Sequence, residues 1–392
     1  MALKEASFLK MKVLITTDLY TTNTNGVVTS VQNLFDELTA KGHEVRILTI
    51  SENHHSRREG PVTYIRSVSM EKVYPNVRMP ISYRHKLIQE IIDWKPDVVH
   101  SQCEFFSFQF AERISRITGA PIVHTYHTLY EQYITSYLIP SKRVGDWLVK
   151  VLSRKRLKKV KTVVAPTQKV ENTLQSYGMS NPISVVPSGI SLEQHRTRLA
   201  PEERAAKRNA LGIADDDLVL LNLGRLGGEK NLGELIDLFA IARKENDALK
   251  FLIVGDGPAR KDLEALAEKL GVSQHVIFTG MVSPDEVQDY YQLGDVFVSA
   301  STSETQGLTY IEAAANGLPL LCRQDDCLQD VLQEGENGYE YTSADEFLQA
   351  IDAVMDDPEW RQVASRRSEE IASNFDKKQF ANAIEDLYES VL

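Results

Sequence analysis

At 392 residues, 42% apolar and 25% charged, the chain has the composition of an ordinary globular protein and the length for two or three domains of roughly 100–200 residues each. Three cysteines, Cys103, Cys322 and Cys327, are too few for a disulfide framework and lack metal-ligand spacing, which points to a reducing compartment; no apolar run approaches the roughly 18 residues of a membrane span. The net charge of −11 divides unevenly, with 25 Lys and Arg against 16 Asp and Glu over residues 1–190 and 19 against 39 over residues 191–392, so the front half is the one expected to meet an anionic partner.

The start, MALKEASFLKMKVLITT, has no apolar stretch with a small-residue cleavage site, so no signal peptide is expected, and residues 1–10 read as a short extension. KVLITTD (12–18) is a continuous β-rich run. In the segment that follows it, Val31, Leu34, Phe35 and Leu38 recur at i, i+3, i+4 and i+7 and predict a helix stopped by Gly42, and the next run, HEVRILTI, reads as a strand. Strand, helix and strand at this spacing make a βαβ unit with parallel strands. Further short strands are expected at 97–100, 121–127 and 162–167. The pattern restarts with strands at 217–226, 250–258, 275–281, 295–301 and 318–323. Two Rossmann-like, doubly wound α/β domains facing across a cleft are therefore expected, with ligands at the carboxyl ends of the strands. The boundaries read as 11–187 for the first domain and 188–375 for the second, with a helix over 376–392 packing back on the first.

GRLGGEKN (224–231) follows a buried-type strand and precedes a helix. Arg225 and Lys230 on a turn with Gly224 offer two cations, a flexible backbone and a nearby helix N-terminus, which suits a diphosphate; the bland alternative is a surface loop with solvated charges. VGDGP (254–258), with Gly255, either borders the nucleotide at the same strand-end level or serves backbone geometry alone. There is no G-x-x-x-x-G-K-[ST] and no G-x-G-x-x-G, which argues against a P-loop NTPase and an NAD enzyme.

These pieces, with SETQGLTYIE (303–312), resemble in order and spacing the donor half of the family 4 glycosyltransferases. The resemblance spans the chain and implies the GT-B fold and transfer with retention of anomeric configuration. It implies that Arg225 and Lys230 hold the pyrophosphate of a sugar nucleotide, Glu312 the ribose hydroxyls, and Glu304 the donor sugar near its 3- and 4-hydroxyls. The backbone amides of Gln306, Gly307, Leu308 and Thr309 would meet sugar and phosphate oxygens. In the front half, the resemblance implies that TNTNGVVTS (22–30) would bring Gly26 against the transferring phosphate and sugar. Family members often carry a Pro-rich loop before this Asn-Gly, and Thr-Thr-Asn-Thr stands there instead, so acceptor contacts are not carried over to residues 20–24. By the same resemblance HTYHTLYEQY (124–133) would bring His127 to the 6-hydroxyl of the donor sugar, with a structural strand-end histidine as the alternative; His124 reads as a residue inside the strand. In this reading Arg225, Lys230, Glu304 and His127 form the catalytic set. No protein nucleophile and no metal or other cofactor is expected.

SKRVGDWLVKVLSRKRLKKVK (141–161) holds nine basic residues and one acidic residue. Trp147, Leu148, Val151 and Leu152 fall at helical spacing among Lys150, Arg154, Lys155, Arg156, Lys158 and Lys159. A basic amphipathic helix with an aromatic residue reads as a membrane-interface element, ahead of a solvated face and of nucleic acid, for which no recognition module is present. With NGVVTSV, HTYHTLYEQY and SETQGLTYIEA, it gives a narrower resemblance to bacterial 1,2-diacylglycerol 3-α-glucosyltransferases. That resemblance implies UDP-glucose or a related UDP-hexose as donor, diacylglycerol as acceptor, and a peripheral position on the anionic inner face of the cell membrane. The same donor chemistry on a polysaccharide, a polyprenyl-linked sugar or another lipid stays open, as does a non-catalytic lipid- or nucleotide-binding module.

Overall fold

The apolar run after Met11 becomes strand β1 (Lys12–Thr17), with every residue but the first buried, as expected for a strand covered on both faces. The computed structural model describes residues 10–20, 25–70, 78–129 and 141–392. It divides into two compact units, one of residues 1–189 with 377–392 and one of residues 190–376.

The first unit adds β2 (Glu44–Ile50), β3 (Arg57–Glu59), β4 (Val62–Ile65), a small hairpin of β5 (Ser67–Ser69) and β6 (Arg78–Pro80), β7 (Val98–Ser101), β8 (Ile122–Thr125), β9 (Thr162–Ala165) and β10 (Ile183–Val185). Eight of them form one sheet in the order β10-β9-β8-β7-β1-β2-β4-β3, parallel throughout except where β3 pairs with β4. Side chains alternate across the sheet, so each face has its own core. Val13 and Ile15 of β1 pack with Val31, Leu34 and Leu38 of the helix Gly26–Ala40, while Leu14 between them faces Ile88, Phe108 and Leu157. Gly42, at φ +91°, follows that helix and donates its N–H to the Thr39 carbonyl.

The helix Lys377–Val391 belongs to this unit, covering β1 and β2 with Phe380, Ala381, Ile384 and Tyr388. A buried polar tie holds it. His43 Nδ1 accepts from the Met11 N–H, which leaves the proton on Nε2, and Nε2 donates to Glu385 Oε1 at 2.7 Å; Lys41 pairs with the other carboxylate oxygen.

The second unit holds β11 (Leu218–Leu223), β12 (Leu249–Val254), β13 (Val276–Gly280), β14 (Val296–Ser299), β15 (Leu320–Arg323) and β16 (Gly338–Tyr341). All pair in parallel, in the order β13-β12-β11-β14-β15-β16. Counted along the chain this is 3-2-1-4-5-6, the doubly wound order whose direction reverses between its first and fourth strands. Connections from β11 and β14 therefore leave on opposite faces and open a crevice at their carboxyl ends. The same reversal lies between β1 and β7 in the first unit.

β3, β4, β10 and β16 have no counterpart among the sequence-predicted strands. Each is three or four residues long, too short to show a period, and is defined by the neighbour it pairs with. The predicted strands at 121–127 and 250–258 end earlier, at Thr125 and Val254, because the residues beyond them turn away from the ladder.

Candidate active site

In the second unit the expected donor-site residues fall at the carboxyl ends of β11, β12 and β14. Gly224 and Arg225 follow β11 at once, and Lys230 closes the 3₁₀ turn Gly228–Lys230 that leads into the helix Leu232–Ala242. Gly255 follows β12 at φ +131°, and a Cβ there would lie 2.0 Å from the Gly224 carbonyl oxygen. Its glycine is required by close approach of two backbones. The Leu226 N–H donating to Asp256 O at 3.0 Å completes the lock between those loops. VGDGP is thus first a support for the Arg225 turn.

Glu304 comes from the loop after β14. Its carboxylate pairs with Lys230, and Ser303 Oγ donates to the Glu229 carbonyl at 3.3 Å, so the two loops flanking the reversal point are joined twice. Arg225 pairs with Glu229, four residues on, whose side chain is only 5% exposed and whose second oxygen is buried without a hydrogen-bond partner. Both cations expected at a diphosphate thus carry carboxylate partners here. Glu229 was not singled out in the sequence. Its signal was its spacing from Arg225, which also fits an ordinary helical pair.

Gln306 is buried. Gly307, at φ +71°, is the residue before the helix Leu308–Ala315, and a Cβ on it would meet the Tyr310 ring at 2.4 Å. The first-turn amides of Leu308 and Thr309 have no earlier turn to donate into along the helix, and they open the positive end of its dipole beside Glu304. One turn further on, half-buried Glu312 accepts from the Tyr291 hydroxyl at 2.7 Å, and desolvation pushes its carboxyl up to about 7. Phe297 packs between Tyr310 and Tyr291, with ring centroids 5.9 and 6.3 Å away. Glu304 and Glu312 therefore stand on either side of the helix N-terminus, one on the loop and one on the helix, with separate partners. Tyr291 and Phe297 lie in earlier elements and could not be linked to this helix from the sequence.

In the first unit Gly26 opens the helix Gly26–Ala40, behind an Asn25 cap whose side chain accepts from the Val28 N–H at 3.0 Å. Residues 21–24, and 130–133 of HTYHTLYEQY, lie outside the described residues. His127 follows β8, and its Nε2 meets Gln102 Oε1, just beyond β7, at 2.7 Å. Burial, with His124 adding to it, pushes His127 down to about 3, so its imidazole is neutral at physiological pH. His124 lies in β8 and is fully buried against Glu104. Gln102 is a residue the sequence did not mark; a single glutamine after a strand carries no signal.

The basic segment forms the helix Lys142–Leu157. Val149, Ser153 and Leu157 face the core, while Trp147 is 63% exposed and Val144, Val151 and Leu152 are exposed with it. At about 100° per residue, Val144, Trp147 and Val151 form one stripe, with Arg143 and Arg154 on one flank and Lys155 on the other. The structure divides the expected cations. Lys150 donates to the Ser176 carbonyl, Arg156 to the carbonyls of Glu104 and Phe105, and Lys159 pairs with Glu112 at 2.6 Å, so these three tie the helix to its own domain. Arg154, Lys155 and Lys158 are exposed. Among the described residues no helix is long and apolar enough to cross a membrane.

Known sequences and structures place this arrangement. Residues 24–194 match the family described as Glycosyltransferase Family 4, and residues 203–371 match Glycosyl transferases group 1. The chain belongs to the family 4 glycosyltransferases, enzymes of the GT-B fold. Two similar relatives are alpha-monoglucosyldiacylglycerol synthases. One, of Streptococcus pneumoniae, is 33% identical over 94% of this chain and 84% of its own; one, of Acholeplasma laidlawii, is 30% identical over 96% of each. Among solved structures, Anabaena HepE in complex with UDP and glucose matches 97% of this chain and all of its own with a TM-score of 0.77, at 18% identity. Sucrose-phosphate synthase of Thermosynechococcus elongatus matches 97% of this chain and 99% of its own, with a TM-score of 0.77 at 20% identity.

Because Arg225 is 43% exposed while Glu229 is enclosed, Arg225→Ala should cost about 1–2 kcal/mol by leaving a buried carboxylate without its counter-charge. Adding Glu229→Gln should recover most of the loss in urea unfolding; no recovery would show that the pair is not the source.

Proposed function

We propose that the protein transfers glucose from UDP-glucose to diacylglycerol with retention of configuration, at the cytoplasmic face of the membrane. The observation that carries this reading is the Lys230–Glu304 contact at the reversal point of the second sheet, beside a helix N-terminus. It puts a cation for a diphosphate next to a carboxylate for sugar hydroxyls. The names of the two synthases above support the lipid acceptor, and the UDP and glucose bound by HepE support the donor class.

In this mechanism Lys230 passes from Glu304 to the diphosphate when donor binds, which releases the carboxylate to accept from the sugar's 3- and 4-hydroxyls. Arg225 and the amides of Gln306, Gly307, Leu308 and Thr309 share the phosphate charge, supported by the Gly224–Gly255 backbone lock. Glu312, as carboxylate, accepts from the ribose hydroxyls. Neutral His127 accepts a hydrogen bond from the 6-hydroxyl, held in orientation by Gln102, and Gly26 gives the backbone close access to the reacting group. As the bond from the anomeric carbon to the β-phosphate oxygen breaks, the acceptor hydroxyl oxygen attacks from the same face. Its proton passes to the departing phosphate oxygen, leaving UDP. Preorganised cations and amides lower this barrier by meeting charge where it develops, and no protein nucleophile or metal is assigned to the step. The exposed stripe of Trp147 and Val151, with Arg154, Lys155 and Lys158, docks the first domain on an anionic leaflet and gives access to the acceptor.

Incubation with UDP-glucose and diacylglycerol in anionic vesicles should give an α-glucosyl-diacylglycerol, also in the presence of EDTA. Lys230→Ala should lower kcat by about 10²–10³-fold, the loss typical of one transition-state donor. Absence of glycolipid from the wild-type protein would overturn the proposal.

A carboxyl raised to about 7 is largely protonated below that pH and is then a weaker acceptor for the ribose hydroxyls. Affinity for UDP-glucose, whose diphosphate has no proton to lose near neutrality, should therefore rise from pH 6 to 8 and level off. Glu312→Gln should flatten the profile and weaken binding; a variant that keeps the slope would remove Glu312 from the donor site.

Replacing Trp147, Lys155 and Lys158 by serine should reduce sedimentation with phosphatidylglycerol vesicles by about tenfold or more, since each basic residue near such a surface contributes about 1 kcal/mol. UDP binding should be unchanged; undiminished sedimentation would exclude this face as the docking surface.

A further inference from the structure

The first unit carries a second concentration of positive charge that neither the donor chemistry nor the docking stripe uses. Where the helix Lys86–Trp94 lies against the helix Phe106–Thr118, a cavity of about 220 Å³ is lined by Arg84, His85, Lys86, Gln89 and Arg113 over a floor of Ile88 and Ile92. Three of these side chains are permanent cations, and no carboxylate lines the cavity. The nearby acidic residues have partners of their own. Glu90 lies 4.0 Å from Arg58, Asp93 accepts from Gln89 at 2.8 Å, and Glu112, next to Arg113, pairs with Lys159. Arg113 has its Nε buried without a hydrogen-bond partner.

Left to itself this arrangement is unfavourable. Lys86 sits at the first position of its helix, where the dipole disfavours a cation, and the first turn has no acidic residue to offset it. An arginine donor buried without an acceptor adds a further cost. Groups that raise the energy of the empty fold in concert are those a ligand relieves. Two arginines and a lysine lining one cavity offer the guanidinium and ammonium donors that suit a tetrahedral oxyanion. The cavity is smaller than the roughly 300–1,000 Å³ that encloses a whole small-molecule ligand, so it fits a single charged group and not a sugar nucleotide.

Its position adds a second argument. Ile88 and Ile92 of the cavity floor belong to the same core as Val149 and Leu157 of the basic helix, on the same side of the sheet. The wall that carries Arg113 is stapled to that helix by Glu112–Lys159 and by Arg156 donating to the Phe105 carbonyl at 2.9 Å. We propose that this cavity is a binding site for a phosphate group, separate from the sugar-nucleotide site in the other domain, and filled either by the phosphodiester of a lipid headgroup or by free phosphate.

Full-length protein titrated with inorganic phosphate and, separately, with dihexanoyl-phosphatidylglycerol at constant ionic strength tests this by calorimetry. Saturable binding that Arg84→Gln/Arg113→Gln weakens by about tenfold or more, while UDP affinity is retained, is the expected result. Lys86→Gln, at an exposed position outside the core, should weaken the same binding in a fold left intact. If the lipid binds and phosphate competes with it, the source is the headgroup; if phosphate alone binds, it is the free anion. No saturable binding of either probe, or binding that both variants leave unchanged, overturns the proposal.

Discussion

The donor half of this protein depends on the reversal of strand order between β11 and β14. Because the connections from these strands leave on opposite faces, their first loops open side by side with no crossover between them. Lys230 on one loop and Glu304 on the other meet there. Each residue would be unremarkable on its own strand end. Together they form a charge pair across the reversal point. The surrounding elements serve that meeting. The Gly224–Gly255 approach fixes where the Arg225 turn leaves the sheet, Ser303 ties the loops a second time, and Gly307 lets the following helix start against its own tyrosine ring.

Glu304 and Glu312 show how one short stretch can present chemically different carboxylates. Glu304 is satisfied by an ammonium, whereas Glu312 has only a tyrosine hydroxyl in a desolvated setting and is held near neutrality in its proton affinity. An acid–base pair of the glycosidase kind would need two carboxyls flanking one bond. Here the carboxyls are parted by the helix N-terminus, with Lys230 on one and the Tyr291 hydroxyl on the other. That arrangement suits two ends of an extended ligand.

What the sequence made legible follows from the range of each interaction. Strand β1, the helix over Val31 to Leu38 and the turn around Arg225 and Lys230 are written in local pattern, so they stand where the periodicity and glycines put them. Strands β4 and β16 exist because a neighbour pairs with them, and four residues carry no period. Among the site residues, Gln102 and Tyr291 escaped because their roles are set by partners 25 and 21 positions away. The basic helix was visible as a charged run, but not its division. Composition cannot separate Lys155, which faces outward, from Arg156, whose guanidinium reaches back to two carbonyls of its own domain.

The return of the helix Lys377–Val391 to the first unit gives the chain an order of assembly on the ribosome. Its Phe380, Ile384 and Tyr388 cover the same core as Val13, Ile15 and Leu34, yet they emerge only after residues 190–376 have been made. At roughly 5–20 residues per second, the apolar face of the first sheet stays open for something on the order of ten to forty seconds. The inserted unit has all its strands by then and can close first. The domain whose synthesis begins first is thus the last to be completed.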